Sequence, residues 1–117
     1  MRLSIQSQEG GVTRVEVRGE VAHDELSGRD DPLAELLGSD CYGGKVVLDM
    51  RHVDTLDSTG VCWLLACRKN FRIHGGKFVL HSPSDFARDV LNVLNLRLVI
   101  PIAEDEKTAL EIVQRDD

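Results

Sequence analysis

Leu3 and Ile5 alternate with polar residues, Glu9-Gly10-Gly11 supplies turn chemistry, and Thr13, Val15 and Val17 then alternate with Arg14, Glu16 and Arg18. This period of two predicts a β-hairpin with one face on a core and the other nearer water. From Gly19 to Gly44 the signal weakens. His23-Asp24-Glu25-Leu26 reads as a short turn of helix, and Ser27-Gly28-Arg29-Asp30-Asp31 as a loop. Asp31-Pro32 has the form of a helix start, with aspartate as N-cap and proline at the first helical position. Leu33, Leu36 and Leu37 follow as an apolar stripe up to Gly38, and Cys41-Tyr42-Gly43-Gly44 is a second loop.

Lys45-Val46-Val47-Leu48-Asp49-Met50 is nearly continuous in apolar residues, as a central buried strand is. His52-Val53-Asp54-Thr55-Leu56 then leads, as a short loop, to Asp57-Ser58-Thr59-Gly60. From Val61 to Ile73 the period becomes helical, with Val61, Leu64, Leu65 and Arg68 on one side and Cys62, Ala66 and Ile73 adjoining it. Gly75-Gly76 ends that helix, the first glycine suiting a left-handed C-cap. Lys77–His81 reads as a strand, and Ser82-Pro83-Ser84 opens a helix with Phe86, Val90, Leu91 and Leu94 as its buried face. Leu98-Val99-Ile100 reads as a final strand stopped by Pro101. Thr108, Ala109, Ile112 and Val113 mark a terminal helix starting in Glu104, Asp105 and Glu106, where acidic residues suit the positive end of the helix dipole. Gln114-Arg115-Asp116-Asp117 reads as a frayed tail. The order predicts an α/β fold in a single small domain over residues 1–117. Its mixed sheet would have four to five strands, a mostly parallel core and an N-terminal hairpin, with about four helices covering it.

Composition narrows the function. The 117 residues, 42% hydrophobic and 29% charged, suit one globular core. Lysine and arginine total 14 against 20 aspartates and glutamates, a formal charge of -6 that argues against direct nucleic-acid binding. No apolar run is long enough to insert in a membrane, and the N-terminus lacks signal-peptide features, so the expected location is cytoplasmic. Cys41, Cys62 and Cys67 form no CxxC pair, which argues against a disulfide framework or a zinc site. His23, His52, His74 and His81 are scattered, so no metal is expected. Asp49, Asp54 and Asp57 are expected near one strand end, where α/β folds bind ligands. No phosphate-cradling glycine loop accompanies them, so no cofactor is expected. Ser58 with His52 or His81 lacks a nucleophile-elbow context, which argues against an enzyme.

Asp57-Ser58-Thr59-Gly60 is the segment with chemistry. A helix start carries backbone N–H groups without internal partners, and its dipole favours negative charge. Asp57 is placed to cap it. A phosphate on Ser58 would meet the same preference, while repelling Asp57. Gly60, without a side chain, would let a partner's backbone approach. The tetrapeptide also reads as plain capping. Trp63, on the first turn, is either a packing residue or an exposed aromatic anchor; Cys67 and Asn70 share its side and would edge a partner groove.

Val46-Val47-Leu48-Asp49, then Val53-Asp54-Thr55-Leu56-Asp57-Ser58-Thr59-Gly60-Val61, Leu64-Leu65, Gly75-Gly76 and Phe78-Val79-Leu80 together resemble the STAS family, specifically the bacterial anti-sigma factor antagonists. The resemblance implies Ser58 as phosphoacceptor, with Thr59 holding the weaker claim. It implies a partner-binding surface of Asp57, Ser58, Thr59, Gly60, Val61 and Trp63 with Ala22, His23 and Asp24. Family members often carry an aspartate at the position of Ala22. The implied partners are an anti-sigma factor with serine kinase activity, whose complex is broken by phosphorylation of Ser58, and a serine phosphatase that resets it. The alternative is a STAS docking subunit, never phosphorylated, of a stressosome-like complex or a lipid-transport ATPase. Oligomeric state stays open.

Overall fold

The computed structural model describes residues 1–115. β1 (Arg2–Glu9) and β2 (Val12–Val21) form the expected hairpin, Leu3 opposite Val17 and Ile5 opposite Val15. The register slips between Ile5 and Ser7, a bulge in the edge strand. Two short helices follow, α1 (His23–Leu26) and α2 (Pro32–Leu37), then a 3₁₀ turn at Ser39–Gly43. The chain continues through β3 (Lys45–Leu56), α3 (Ser58–Ile73), β4 (Lys77–His81), α4 (Asp85–Val93), a 3₁₀ turn at Leu96–Leu98, β5 (Ile102–Ala103) and α5 (Glu106–Val113). The strands lie in the order β1-β2-β3-β4-β5; β1 is antiparallel to β2, and the other pairs are parallel. The mixed, mainly parallel sheet with an N-terminal hairpin is therefore as expected.

Side chains alternate along a strand, and both faces of β3 are used. Val46, Leu48 and Met50 join Val15, Val17, Phe78 and Leu80 beneath α2, α3 and α4, while Val47 turns the other way. There it meets Val12, Val79 and Ala103 under Ala109 and Val113 of α5. Burial on both sides explains the continuous apolar run. Phe71 of α3 stacks on Phe78 with ring centroids 5.1 Å apart, and Tyr42 meets Phe71 edge-on at 4.9 Å. The Tyr42 hydroxyl donates to the Asp31 carboxylate at 2.6 and 2.7 Å, and Asp31 also accepts from Ala34 N at 3.1 Å as the N-cap of α2. One carboxylate thus fastens both the helix start and the 3₁₀ turn; burial and this donation hold the phenol protonated far above its ordinary range.

Gly75 has φ +82 and the Gly76 amide donates to Phe71 O at 2.9 Å, the Schellman closure expected after α3. Gly76 has a second constraint. A Cβ there would stand 2.2 Å from Tyr42 O and 2.4 Å from Gly44 O, so two segments of backbone close on it.

Several expectations change. β3 continues through His52–Leu56 instead of stopping at Met50, because β2 runs alongside it as far as Val21 opposite Leu56. Leu98–Ile100 is not a strand: Leu98 ends a 3₁₀ turn, Ile100 is buried, and the last strand lies beyond Pro101. Pro101 can precede an edge strand because its carbonyl alone is needed, accepting from Leu80 N at 3.0 Å. Phe86 and Leu94 are 49% and 51% exposed, and Ile73 is exposed at the end of α3. Ser84 sets the rotation of α4 by donating to Val53 O at 2.7 Å while accepting from Ala87 N, so Ala87 and Leu91 face inward. Gln114 is not frayed: it accepts from Lys45 Nζ at 3.0 Å and donates to Gly10 O at 3.3 Å. Arg115 N donates to Ile112 O. Asp116 and Asp117, the rest of the expected tail, lie outside the described residues.

His81 closes β4 between Asp49 and Ala103 in register and is 1% exposed, its Nδ1 2.9 Å from Ser82 Oγ. Burial holds the imidazole below its ordinary pKa of 6.5, although Asp49 and Glu106 pull it upward. A histidine depressed in the folded state contributes fully above its unfolded pKa and loses that contribution as pH falls through the folded value. Thermal stability is therefore expected to fall between about pH 7 and about pH 5, and less steeply in His81→Gln; equal slopes in scanning calorimetry would remove His81 as the cause. Gly76→Ala is expected to lose about 2–3 kcal/mol by urea unfolding. A loss below about 0.5 kcal/mol, the surface range, would contradict the close approach.

Candidate functional site

The site forms where β3 ends and α3 begins. Asp57 is extended at φ -102 and ψ -174, so its side chain can turn back over the helix start. Its Oδ1 accepts from Gly60 N at 2.9 Å and its Oδ2 from His23 N at 3.0 Å. Its own amide donates to Val21 O at 3.3 Å, and its carbonyl accepts from Val61 N at 2.9 Å. One residue therefore joins the ends of β2 and β3 to the starts of α1 and α3. Ala22, the N-cap of α1, makes no side-chain cap bond; Asp57 supplies the acceptor from another segment. The His23 and Gly60 amides hold the Asp57 carboxyl below the usual aspartate value, so it is ionised at neutral pH.

Gly60 is buried, and a Cβ there would stand 2.0 Å from Val21 O and 2.9 Å from Leu56 Cδ1. The close approach that the sequence assigned to a partner is made by the chain's own β2. Val61 is 6% exposed. Asp57 and Ser58 are exposed, Thr59 half-buried, His23 and Asp24 exposed, and Ala22 half-buried. The accessible surface is thus Ala22–Asp24 beside Asp57–Thr59, with Gly60 and Val61 supporting it from inside.

Trp63 is half-buried against the main core, and its indole N–H is buried without a partner among the described residues. Cys67 is 2% exposed, and burial pushes its thiol up to about 12. The side shared by Trp63, Cys67 and Asn70 therefore turns partly into the core instead of edging a groove. Asp49, Asp54 and Asp57 do not cluster either. With β3 extended to Leu56, Asp49 stands eight positions before Asp57, roughly 26 Å of strand. His23, His52 and His74 are exposed on separate elements and His81 is buried. No group of three His, Cys, Asp or Glu side chains suited to a metal occurs among the described residues. Nor is any described helix long and apolar enough to cross a membrane.

Ser58 occupies the first position of α3, where the dipole favours an anion and Asp57 opposes one. Among the described residues no side chain hydrogen-bonds its hydroxyl, so none of them is placed to take its proton. The hydroxyl can receive a group from another protein. What sequence reasoning missed is the reach of Asp57 to His23 and the seat of Gly60 on Val21; the only trace is the glycine three residues after an N-cap aspartate.

A family model described as Mlab, STAS domain, matches residues 4–101. A search of curated proteins finds no match. Among solved structures, an anti-sigma factor antagonist from Mycobacterium paratuberculosis is similar with a TM-score of 0.75 at 20% identity, covering 97% of this chain and 96% of that one. The anti-sigma factor antagonist SpoIIAA in its unphosphorylated form gives 0.66 at 18% identity over 97% and 95%. The Bacillus cell fate determinant SpoIIAA in its phosphorylated form gives 0.63 at 17% identity over 97% and 100%. The structures share the fold, the family model spans most of the sequence, and the chain belongs to the STAS domain family.

Proposed function

We propose that the protein is a partner-switching regulator: unphosphorylated, it binds an anti-sigma factor with serine kinase activity, and phosphorylation of Ser58 ends that complex. The observation that carries this reading is the exposed Ser58 hydroxyl at a helix start already fixed by Asp57, beside the Ala22–Asp24 surface. A phosphate there adds roughly -1.5 to -2 charges to a surface that already carries Asp57 and Asp24. The backbone geometry is over-determined by Val21, Gly60 and His23, so the added charge acts on a partner more than on the fold. SpoIIAA, similar in fold, is known in both phosphorylated and unphosphorylated forms, which fits the same cycle. In this reading the protein is a kinase substrate, not an enzyme; it works in the cytoplasm, and a serine phosphatase restores it. Thr59, half-buried, is the lesser acceptor.

A second reading, a docking subunit that is never phosphorylated, draws on the family model, whose description names Mlab, not an anti-sigma factor antagonist. Intact-mass measurement after incubation with ATP and kinase-type anti-sigma factors separates the two. One phosphate on wild type and on Thr59→Ala, with none on Ser58→Ala, is the expected result. No phosphate with any such kinase, alongside stable binding to one large assembly, leaves the docking reading. Ser58→Glu is expected to weaken binding to the anti-sigma partner by about tenfold or more while Ser58→Ala binds as wild type. Equal affinities by calorimetry would refute the charge-based switch.

A further inference from the structure

We propose that the outer face of α4, with the turn that follows it, pairs with a second copy of this chain about a two-fold axis, the two α4 helices lying antiparallel. Two apolar stretches that the core leaves unused meet here. Phe86, Val90, Val93 and Leu94 are spaced for one side of a helix, yet only Ala87 and Leu91 of α4 are fully buried. At about 100° per residue, Phe86, Val90 and Val93 span roughly 60° of the helix circumference. Phe86, Val93 and Leu94 are exposed, Val93 by 79%. Leu98, 86% exposed, and Val99 follow at the 3₁₀ turn, which packs against α4. Five of the seven large apolar side chains exposed among the described residues thus fall between Phe86 and Val99. Single exposed apolar residues are ordinary, whereas a concentrated patch marks an interaction site.

Charge selects the occupant. Toward the N-terminal end of α4, Asp85 and Asp89 are exposed. Asp85 has Arg88 at 3.6 Å, while Asp89 makes no hydrogen bond or ion pair among the described residues. Asp89 stands roughly 40° from Val93 around the helix, at the margin of the apolar stripe. At the other end, half-buried Arg68 of α3 donates through Nε to Val99 O at 3.3 Å. Its two terminal nitrogens have no partner among the described residues. Arg97, in the same turn, is already committed to Asn92, Ile102 O and Glu104, so it fixes the turn and leaves the pairing to Arg68. An acid at one end, a base at the other and apolar residues between them make a surface complementary to itself under two-fold rotation. Asp89 of one copy then faces Arg68 of the other, and the contact occurs twice. An anionic lipid surface would meet the same apolar residues but oppose Asp85 and Asp89.

This face is distinct from the phosphoacceptor. Ser58 and Arg68 are separated by ten residues of α3, roughly 15 Å along its axis. Sedimentation equilibrium of the full chain from about 10 µM to about 1 mM covers the range of a small, weak contact. The mass is expected to rise from 13.0 kDa toward twice that value. Val93→Lys/Leu98→Lys is expected to stay monomeric throughout, at unchanged thermal stability, because both side chains are already solvated. Asp89→Arg and Arg68→Glu are each expected to weaken the dimer several-fold. Asp89→Arg/Arg68→Glu together are expected to recover the wild-type constant, since the exchange restores both contacts with their signs reversed. A monomer at every concentration, a dimer that survives the paired lysines, or an exchange that fails to restore association overturns the proposal. Flotation of a monomeric wild type with phosphatidylglycerol vesicles, lost in the lysine variant, overturns it in favour of a lipid surface.

Discussion

The first turn of α3 rests directly on the backbone of β2. Gly60 has no side chain because the carbonyl of Val21 occupies the place of its Cβ, 2.0 Å from where that atom would stand. The same carbonyl accepts from the Asp57 amide, and the Asp57 carboxylate reaches past it to the first amide of α1. Everything accessible at this end of the molecule inherits its position from that contact. Separating α3 from β2 would break the bond of the Asp57 amide to Val21 O, release the His23 amide and move Ser58 relative to Ala22–Asp24. An aspartate that spans two helix starts also explains why Ala22 needs no polar side chain of its own.

Much of this architecture was legible in the amino-acid pattern, for physical reasons that differ by element. The hairpin could be read from its alternation, and α2 from Asp31-Pro32, because cap and turn chemistry is local. α3 could be bounded at both ends, since an N-cap aspartate and a Schellman glycine each leave a mark within a few residues. The failures share one cause: non-local contacts decided the outcome. His52–Leu56 became strand only because β2 is long enough to pair with it. Phe86 and Leu94 are apolar and periodic, but the Ser84 hydroxyl bound to Val53 O rotates them outward. Leu98–Ile100 satisfies strand composition, yet the β4 edge takes its neighbour from the residues after Pro101. At the start of α3, Asp57 as the cap and Ser58 as the first helical residue were readable, whereas the inward turn of Gly60, Val61 and Cys67 depends on what packs beneath them.

α3 links two surfaces of opposite character. Its N-terminus presents Asp57 and Ser58 with Asp24 nearby, an acidic end that a phosphate would make more so. Its C-terminal half carries the basic side chains Arg68 and Arg72. Between them, Leu64, Cys67 and Phe71 bury the helix in the main core, with Phe71 held between Tyr42 and Phe78. A helix clamped in this way moves as a rigid piece, so the electrostatic environments at its two ends keep a fixed separation.

The bulge in β1 bears on how the molecule behaves in crowded solution. β1 is the longer of the two sheet edges, and a regular edge offers a row of N–H and C=O groups to any strand that meets it. The slip between Ile5 and Ser7 interrupts that row near its middle, beside an Ile5 that is 41% exposed. At the opposite margin, β5 is two residues long and follows a proline. Neither margin presents a continuous template, and the fold thereby guards against runaway edge-to-edge aggregation.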